Sequence, residues 1–322
     1  MTKLSWFAFL FLSLPLWAQQ NLTPELHYQS IRNFLKLPLQ ISIGPDPGIT
    51  VNSKGHIFLF NRGDYPLLEF DANGNYLRKI TYGTWDFVFA HSLRVDSEDN
   101  IWAVDEGINQ VVKLSPEGKV LLVLGNKADI VDTPPPGEPL SKLTRLFNRP
   151  TDVAFGPSGD IFVSDGYGNA RVVKYDKNGK FQKVWGRLGT APGEFHTPHS
   201  IVVDAKGLVY VADRVNKRIQ VFDSDGNFMT KWDRIGSSTG LTPTALCITP
   251  GPDQVIFMTD GGVNRILKLD LNGNVLGALG KPGTALGQFA DPHGIACPTQ
   301  HELYVGETVN ARVQKLILGD AH

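Results

Sequence analysis

Three histidines occupy the same position in a sequence unit that recurs along the chain. They are His91, His199 and His293, and each lies ten residues before the start of a strand-like apolar run. Those runs begin at Ile101, Val209 and Leu303. Neutral imidazole nitrogens bind zinc well, and three of them around one open position form a common catalytic zinc site. The spacing therefore suggests a metal centre, provided that the fold brings the three side chains together.

The alternation of the histidines among the units supplies the geometric argument. They fall in the second, fourth and sixth units, whereas Thr151 and Thr244 hold the position in the third and fifth, and it lies near Pro47 in the first. In a closed ring of six units, alternate units are related by about a third of a turn, so three equivalent side chains converge on the axis. A single histidine at such a turn is most often structural. Three in strict alternation favour a metal site.

Further polar side chains follow the second predicted strand of each unit, where the loops of all units meet at one end of the channel. These candidates are Arg62, Glu106, Tyr167, Arg214 and Asn264. An arginine there could bind a carboxylate bidentately. A phenol beside a cation and a metal could have its pKa lowered enough to act as a base. The alternative is that these residues only cap the ends of the units.

The repeated unit itself predicts the fold. Its second strand begins at Ile57, Ile101, Ile161, Val209, Ile256 and Leu303. Four residues further on stand Asn61, Asp105, Asp165, Asp213, Asp260 and Glu307. Glycine-containing turns recur in phase before the fourth strand, at 71–74, 115–118, 176–179, 223–226 and 270–273. Four short strands repeated six times predict an all-β fold, a six-bladed β-propeller over residues 45–318.

The ends of the repeat predict how the ring closes. The sixth unit stops soon after its third strand, at Leu318, while residues 35–43 form an apolar segment before the first unit. Within the N-terminal segment 19–44, we expect residues 35–43 to supply the missing strand of the last blade. The Pro-rich, polar residues 126–146 predict an insertion between the second and third units, either a lid over one face or an irregular loop.

The first residues have the pattern of a secretory signal peptide. Lys3 provides the positive region, residues 4–16 are apolar, and Ala18 offers a small residue for cleavage. We expect residues 1–18 to be removed and the protein to be secreted or periplasmic. An N-terminal membrane anchor is the alternative, although the apolar stretch is shorter than a membrane span.

The balanced charge of the chain argues against partners that bind through electrostatic attraction. The 322 residues carry 31 Lys and Arg against 32 Asp and Glu, with a formal net charge of −1 and no basic run. Binding to nucleic acid, or to a membrane after signal cleavage, is therefore not expected. We expect a monomer. The two cysteines are Cys247 and Cys297, and the sequence leaves open whether they pair.

These motifs resemble NHL-repeat propellers and, among them, the peptidyl-α-hydroxyglycine α-amidating lyases (peptidylamidoglycolate lyases), over residues 45–318. The matching motifs are His91-Ser92-Leu93, Val104-Asp105, 149–154 (RPTDVA), 163–169 (VSDGYGN), Pro198-His199-Ser200, 211–214 (VADR) and Pro292-His293-Gly294. The resemblance implies that the three histidines bind zinc. It also implies that Tyr167 and Arg62 act in catalysis and that Arg214 lies near the substrate carboxylate. The implied reaction cleaves the N–C bond of a carbinolamide in a small molecule or peptide, giving an amide and glyoxylate.

The sequence departs from this family's pattern beside the motifs. Asp291 replaces a methionine, and Gly168 replaces a disulfide cysteine. Gly294 replaces the acidic residue that helps to bind a structural calcium in the family. A calcium ion would then depend on other ligands, such as the backbone near Leu93.

Two other functions are compatible with the repeat. A non-catalytic NHL propeller would bind a protein or peptide on one face and would need no metal. A calcium-dependent propeller hydrolase, such as a lactonase or phosphotriesterase, typically places carboxylate and asparagine ligands around the channel. The three phased histidines argue against that class.

Overall fold

The glycine-bounded apolar runs of the sequence form short strands in the computed structural model. The structure describes residues 23–81, 87–126, 146–235 and 241–319. These residues contain no helix, and thus none that could cross a membrane. The signal peptide predicted over 1–18 lies outside the described residues, as does the insertion predicted over 126–146 apart from its two end residues.

The described strands form six antiparallel sheets of four strands each, with one short parallel pair between the fifth sheet and the sixth. The first strand along the chain is β1 (Tyr28–Ile31). Blade one contains β2 (Gly48–Val51), β3 (Ile57–Phe60), β4 (Leu67–Phe70) and β5 (Tyr76–Lys79). Blade two contains β6 (Ala90–Val95), β7 (Ile101–Asp105), β8 (Gln110–Leu114) and β9 (Val120–Leu124). Blade three contains β10 (Asp152–Phe155), β11 (Ile161–Asp165), β12 (Arg171–Tyr175) and β13 (Phe181–Trp185).

The remaining blades repeat this pattern. Blade four contains β14 (Pro198–Val203), β15 (Val209–Asp213), β16 (Arg218–Phe222) and β17 (Phe228–Trp232). Blade five contains β18 (Pro243–Ile248), β19 (Ile256–Asp260), β20 (Arg265–Leu269) and β21 (Val275–Leu279). The parallel pair is β22 (Lys281–Pro282) and β23 (Gln288–Phe289). Blade six contains β24 (Pro292–Ala296), β25 (Glu302–Glu307), β26 (Arg312–Leu318) and β1.

The six sheets surround a central channel, and the first strand of each sheet lies nearest the axis. The innermost strands β2, β6, β10, β14, β18 and β24 contact one another around the ring. The apolar core lies between neighbouring blades, as where Tyr210 and Ile219 of blade four pack with Met258 and Leu267 of blade five. Because each sheet buries both faces against its neighbours, its central strands are almost continuously apolar. The six-bladed propeller predicted from the repeat is confirmed.

An N-terminal strand closes the ring, as predicted, but it is not the segment that we expected. The outermost strand of blade six is β1, which pairs with β26 from Tyr28 opposite Leu318 to Ile31 opposite Lys315. The prediction that residues 35–43 form this strand was wrong. Pro38 lies within that segment and lacks an N–H for a strand ladder. Leu35, Leu37, Ile41 and Ile43 pack instead on the core between blades one and six.

A buried hydrogen-bond acceptor ends, or directly follows, the second strand of every blade. These residues are the Asn, Asp and Glu that the sequence register identified: Asn61, Asp105, Asp165, Asp213, Asp260 and Glu307. Each accepts a backbone N–H from the loop that leads into the innermost strand of its own blade. A buried acceptor without a partner costs about 1–3 kcal/mol, so these bonds fix the loops at the channel mouth. The repeated polar residue therefore positions the strand that carries the site.

The two cysteines form a disulfide. Cys247 lies in β18 and Cys297 directly follows β24, so the bond joins the innermost strands of blades five and six. The pairing that the sequence left open is thereby settled.

Candidate metal centre

Each of the three histidines lies at an irregularity in an innermost strand. In β6, the residues before and after His91 pair with Asp105 and Val104, which are successive residues of β7. His91 is therefore the extra residue, with no residue of β7 opposite it. The same skip occurs at His199 in β14 and at His293 in β24. A β-bulge bends its strand and re-aims the extra side chain. In every second blade, the bulge thus directs an imidazole into the channel.

The three buried imidazoles converge near the axis. One ring nitrogen from each lies within 4.8 Å of those from the other two. His91 Nε2 and His199 Nε2 are 3.2 Å apart. Two nitrogen ligands about 2.0–2.1 Å from a tetrahedral metal would be about 3.3 Å apart. The structure therefore brings together the three residues that the register singled out, at a spacing that suits one metal ion.

The outer ring nitrogens define the tautomers of two histidines. His91 Nδ1 lies 2.5 Å from the Thr151 carbonyl oxygen, and His199 Nδ1 lies 2.7 Å from that of Thr244. A carbonyl can only accept, so each Nδ1 carries the proton and donates it. In the neutral ring the Nε2 lone pairs then face each other across the axis. Such an outer hydrogen bond orients a metal-binding histidine and raises its basicity.

The third histidine has a carboxylate, not a carbonyl, beside its Nδ1. His293 Nδ1 lies 3.2 Å from Asp46 Oδ1. Burial, together with repulsion among the neighbouring cationic groups, lowers the pKa of His91 and of His293 to about 3. Burial also holds the pKa of His199 well below its ordinary value. All three rings are consequently neutral near pH 7, the form in which histidine binds a metal.

Tyr167 contributes a hydroxyl to the same point. Its oxygen lies 2.9 Å from His199 Nε2 and 3.2 Å from His91 Nε2. We expected a neighbouring cation to lower the pKa of this phenol, and Arg214 acts in that direction. Burial outweighs it and raises the pKa of Tyr167 to about 12. A divalent cation held by the histidines would act in the same direction as Arg214.

The two predicted arginines have different surroundings. Arg214 Nη1 lies 3.1 Å from His199 Nε2, and Arg214 has no carboxylate partner among the described residues. Arg62 donates from Nε to the Ala90 carbonyl at 2.9 Å, pairs through Nη1 with Asp46, and donates from Nη2 to Glu106 at 3.4 Å. The charge of Arg62 is therefore already matched by protein carboxylates, whereas that of Arg214 is available to a ligand.

Two further residues, Arg149 and Asp46, contribute to this site although neither was a candidate, whereas the candidate Asn264 only holds a loop. Arg149 lies over the Tyr167 ring at 4.8 Å and donates to Glu106 at 3.2 Å, and Asp46 joins a histidine to Arg62. Both missed residues directly precede the proline that leads into an innermost strand, and this position could have identified them. Asn264 accepts the backbone N–H of Asp291 at 2.6 Å and so has a structural role.

The residues near Leu93 do not fit a calcium site. A Cβ on Gly294 would lie 2.2 Å from the Pro47 carbonyl oxygen, so this position has no room for an acidic side chain. Beneath the histidines, Arg94 pairs with Asp152 at 3.0 and 2.5 Å. Calcium takes about six to eight oxygen ligands. Asp152 is thus already neutralised by a guanidinium, and the described residues around Leu93 offer no such set of oxygen ligands.

Comparison with known proteins is consistent with these features. A family model of the NHL repeat matches residues 147–175 and 195–222. The chain is 32% identical over 212 residues to the peptidylglycine alpha-amidating monooxygenase of Rattus norvegicus, covering 56% of this chain and 20% of that protein. It is 31% identical over 203 residues to a probable peptidyl-alpha-hydroxyglycine alpha-amidating lyase of Caenorhabditis elegans, covering 54% of each. The chain thus spans only part of both relatives.

Solved structures with the same fold are also found. The virginiamycin B lyase of Staphylococcus aureus superposes with a TM-score of 0.62 at 17% identity, covering 92% of this chain and 100% of that one. At this identity the likeness concerns the propeller architecture alone.

Proposed function

We propose that this chain, a six-bladed β-propeller with NHL repeats, is a zinc-dependent carbon–nitrogen lyase. It would cleave a peptidyl-α-hydroxyglycine-like carbinolamide to an amide and glyoxylate. One observation carries the proposal: three neutral imidazoles converge, with the Tyr167 hydroxyl within 3.2 Å of two of them. The similarity to proteins named as alpha-amidating enzymes supports the reaction class.

His91, His199 and His293 would hold the zinc ion, and their number leaves a coordination position for the substrate. Bound there, zinc supplies Lewis acidity that lowers the pKa of the substrate hydroxyl and of a neighbouring phenol. Arg214 would bind the substrate carboxylate, because its guanidinium has no acidic partner among the described residues. Arg62, held by Asp46 and Glu106, would present its remaining N–H groups from a fixed position.

Tyr167 would carry the proton. As a phenolate, it takes the proton from the substrate hydroxyl, whose oxygen then forms the carbonyl of glyoxylate. The C–N bond breaks and its electron pair moves to the amide nitrogen. The proton held by Tyr167 passes to that nitrogen, so the reaction moves one proton from oxygen to nitrogen and needs no oxidant or water.

A Tyr167→Phe variant tests this role. We expect glyoxylate release from an N-acyl-α-hydroxyglycine to fall about 10²–10⁴-fold, the range for loss of a general acid–base group. Zinc content should stay near one per chain, because the phenol is not among the proposed ligands. Tyr210→Phe is the matched control, since it removes a buried hydroxyl that bonds to Asp204 instead.

Two results would exclude the proposal. Folded protein that contains and binds no zinc would exclude the metal centre. Unchanged glyoxylate release in the Tyr167→Phe variant would exclude the assigned base. A propeller that only binds peptides predicts no zinc and no glyoxylate release from the unmutated protein, so the same measurements separate the two functions.

We also propose that the protein is secreted or periplasmic. The disulfide between Cys247 and Cys297 supports an oxidising compartment, because disulfides are rare in reducing ones. Thiols of protein from intact cells should react with a maleimide only after reduction.

A further inference from the structure

One carboxylate contacts both a candidate metal ligand, His293, and a candidate catalytic arginine, Arg62. Asp46 Oδ1 lies 3.2 Å from His293 Nδ1, and its other oxygen, Oδ2, pairs with Arg62 Nη1. Asp46 is 6% exposed, so water does not screen either contact well. Neither the register of the repeat nor the resemblance to a family assigns this residue a role.

Asp46 makes the three histidines unequal. The outer nitrogens of His91 and His199 face the carbonyls of Thr151 and Thr244, which are uncharged acceptors. The outer nitrogen of His293 faces a full negative charge. A carboxylate 3.2 Å from this nitrogen attracts the ring N–H more strongly than an uncharged carbonyl would. It also raises the basicity of the ring that it orients. We therefore expect His293 to depend on its outer partner more than the other two histidines do.

The backbone and neighbours of Asp46 fix its position. The residue has a φ of 55°, in the left-handed region that Asp and Asn tolerate best among non-glycine residues. Thr308 donates its hydroxyl to Asp46 Oδ1 at 2.7 Å. The Arg62 backbone N–H donates to the Pro45 carbonyl at 3.2 Å, which holds the two loops together. The carboxylate therefore lies between blades one and six with one oxygen directed towards each function.

We propose that Asp46 is a positioning residue that orients His293 for metal binding and, through the same carboxylate, fixes Arg62 beside the substrate. This inference rests on the proposed metal centre. It adds that the metal site and the arginine are coupled, so that loss of Asp46 weakens both. Loss of the carboxylate at the equivalent position of blade six, that of Asp291, would weaken neither zinc binding nor substrate binding.

The chain provides a matched control for the test. Asp291 occupies the equivalent position before Pro292 in blade six, with a φ of 54°. No hydrogen bond or ion pair joins its carboxylate to a histidine in the described part of the chain. Asp46→Asn and Asp291→Asn therefore make the same chemical change at nearly the same positive φ, which asparagine tolerates in both places.

Zinc affinity is measured on the metal-free, full-length protein by competition with a chromophoric chelator. We expect Asp46→Asn to weaken zinc binding about 10–100-fold, as loss of an outer partner of a ligand does. Asp291→Asn should bind zinc within about 2-fold of the unchanged protein, a margin of about 0.4 kcal/mol. Asp46→Asn should also raise the KM for the carboxylate substrate, whereas a purely structural defect would lower the fraction of active protein and leave KM unchanged.

Thr308→Val is the second variant, in case Asp46→Asn does not fold. It keeps the carboxylate but removes one hydrogen bond to it, so zinc binding should weaken by about 2–5-fold. Zinc affinity unchanged in Asp46→Asn, or in Thr308→Val where the former does not fold, would overturn the inference. Unmutated protein that binds no zinc would overturn both proposals, whereas zinc binding without glyoxylate release would overturn the lyase alone.

Discussion

Three buried imidazoles should make the metal-free protein sensitive to acid. Burial, with repulsion from neighbouring cationic groups, lowers the pKa of His91 and of His293 to about 3, and burial holds that of His199 well below its ordinary value. In the unfolded chain these groups titrate near about 6.5. Between these two limits, the unfolded state binds protons that the folded state does not. Stability is therefore fully present above about pH 6.5 and is lost as the pH falls towards 3.

The loss of stability at a given pH depends on how far that pH lies below the unfolded pKa, because the folded state stays unprotonated there. At pH 5.5, one unit below the unfolded pKa, each such histidine costs on the order of 1 kcal/mol relative to pH 8, and the three together cost on the order of a few kcal/mol. A domain of ordinary stability has about 5–15 kcal/mol in total. Acidification over this interval should thus remove a large fraction of the free energy of unfolding.

The assay is urea unfolding at pH 8 and at pH 5.5 with a chelator present. Burial raises the pKa of Glu106 and of Asp165, and such groups act with the opposite sign, because their contribution is lost as the pH rises. The histidine part is therefore isolated by comparison with single His→Gln variants, each of which should reduce the pH difference by on the order of 1 kcal/mol. Equal pH differences in the variants and the unmutated protein would refute the reasoning.

Other predictions concern the ring and the substrate site. Cys247→Ala with Cys297→Ala should lower the free energy of unfolding by up to about 4 kcal/mol, the chain-entropy value for a separation of 50 residues; equal urea midpoints would contradict this. A chain beginning at residue 32 lacks β1 and exposes the edge of β26, so it should self-associate in light scattering, whereas one beginning at residue 23 should not. Arg214→Met should raise the KM for the carboxylate substrate about 10–150-fold. Arg187→Met, at an exposed ion pair, should not, and equal KM values for the two would argue against Arg214.

The closing strand is a feature that local sequence patterns predicted only in part. An unfilled fourth strand in the last unit predicted that an N-terminal segment closes the ring. The apolar pattern favoured residues 35–43, yet the strand is β1, with the sequence YQSI. An outermost strand is only half buried, so its sequence need not be strongly apolar. The more apolar segment covers the core between the first and last blades, which are adjacent only after the ring has closed.

The sequence by itself determined the blades, their register and the alternation of His91, His199 and His293, because turns and strand periods are local patterns. Tertiary structure decided the bulges that direct these histidines inward and the outer partners that set their tautomers. It also decided that Asp46 and Glu106 neutralise Arg62 while Arg214 keeps its charge for a ligand. Such contacts join residues far apart in the chain across a closed ring. Their partners are therefore fixed by the packing of whole blades, which no local pattern encodes.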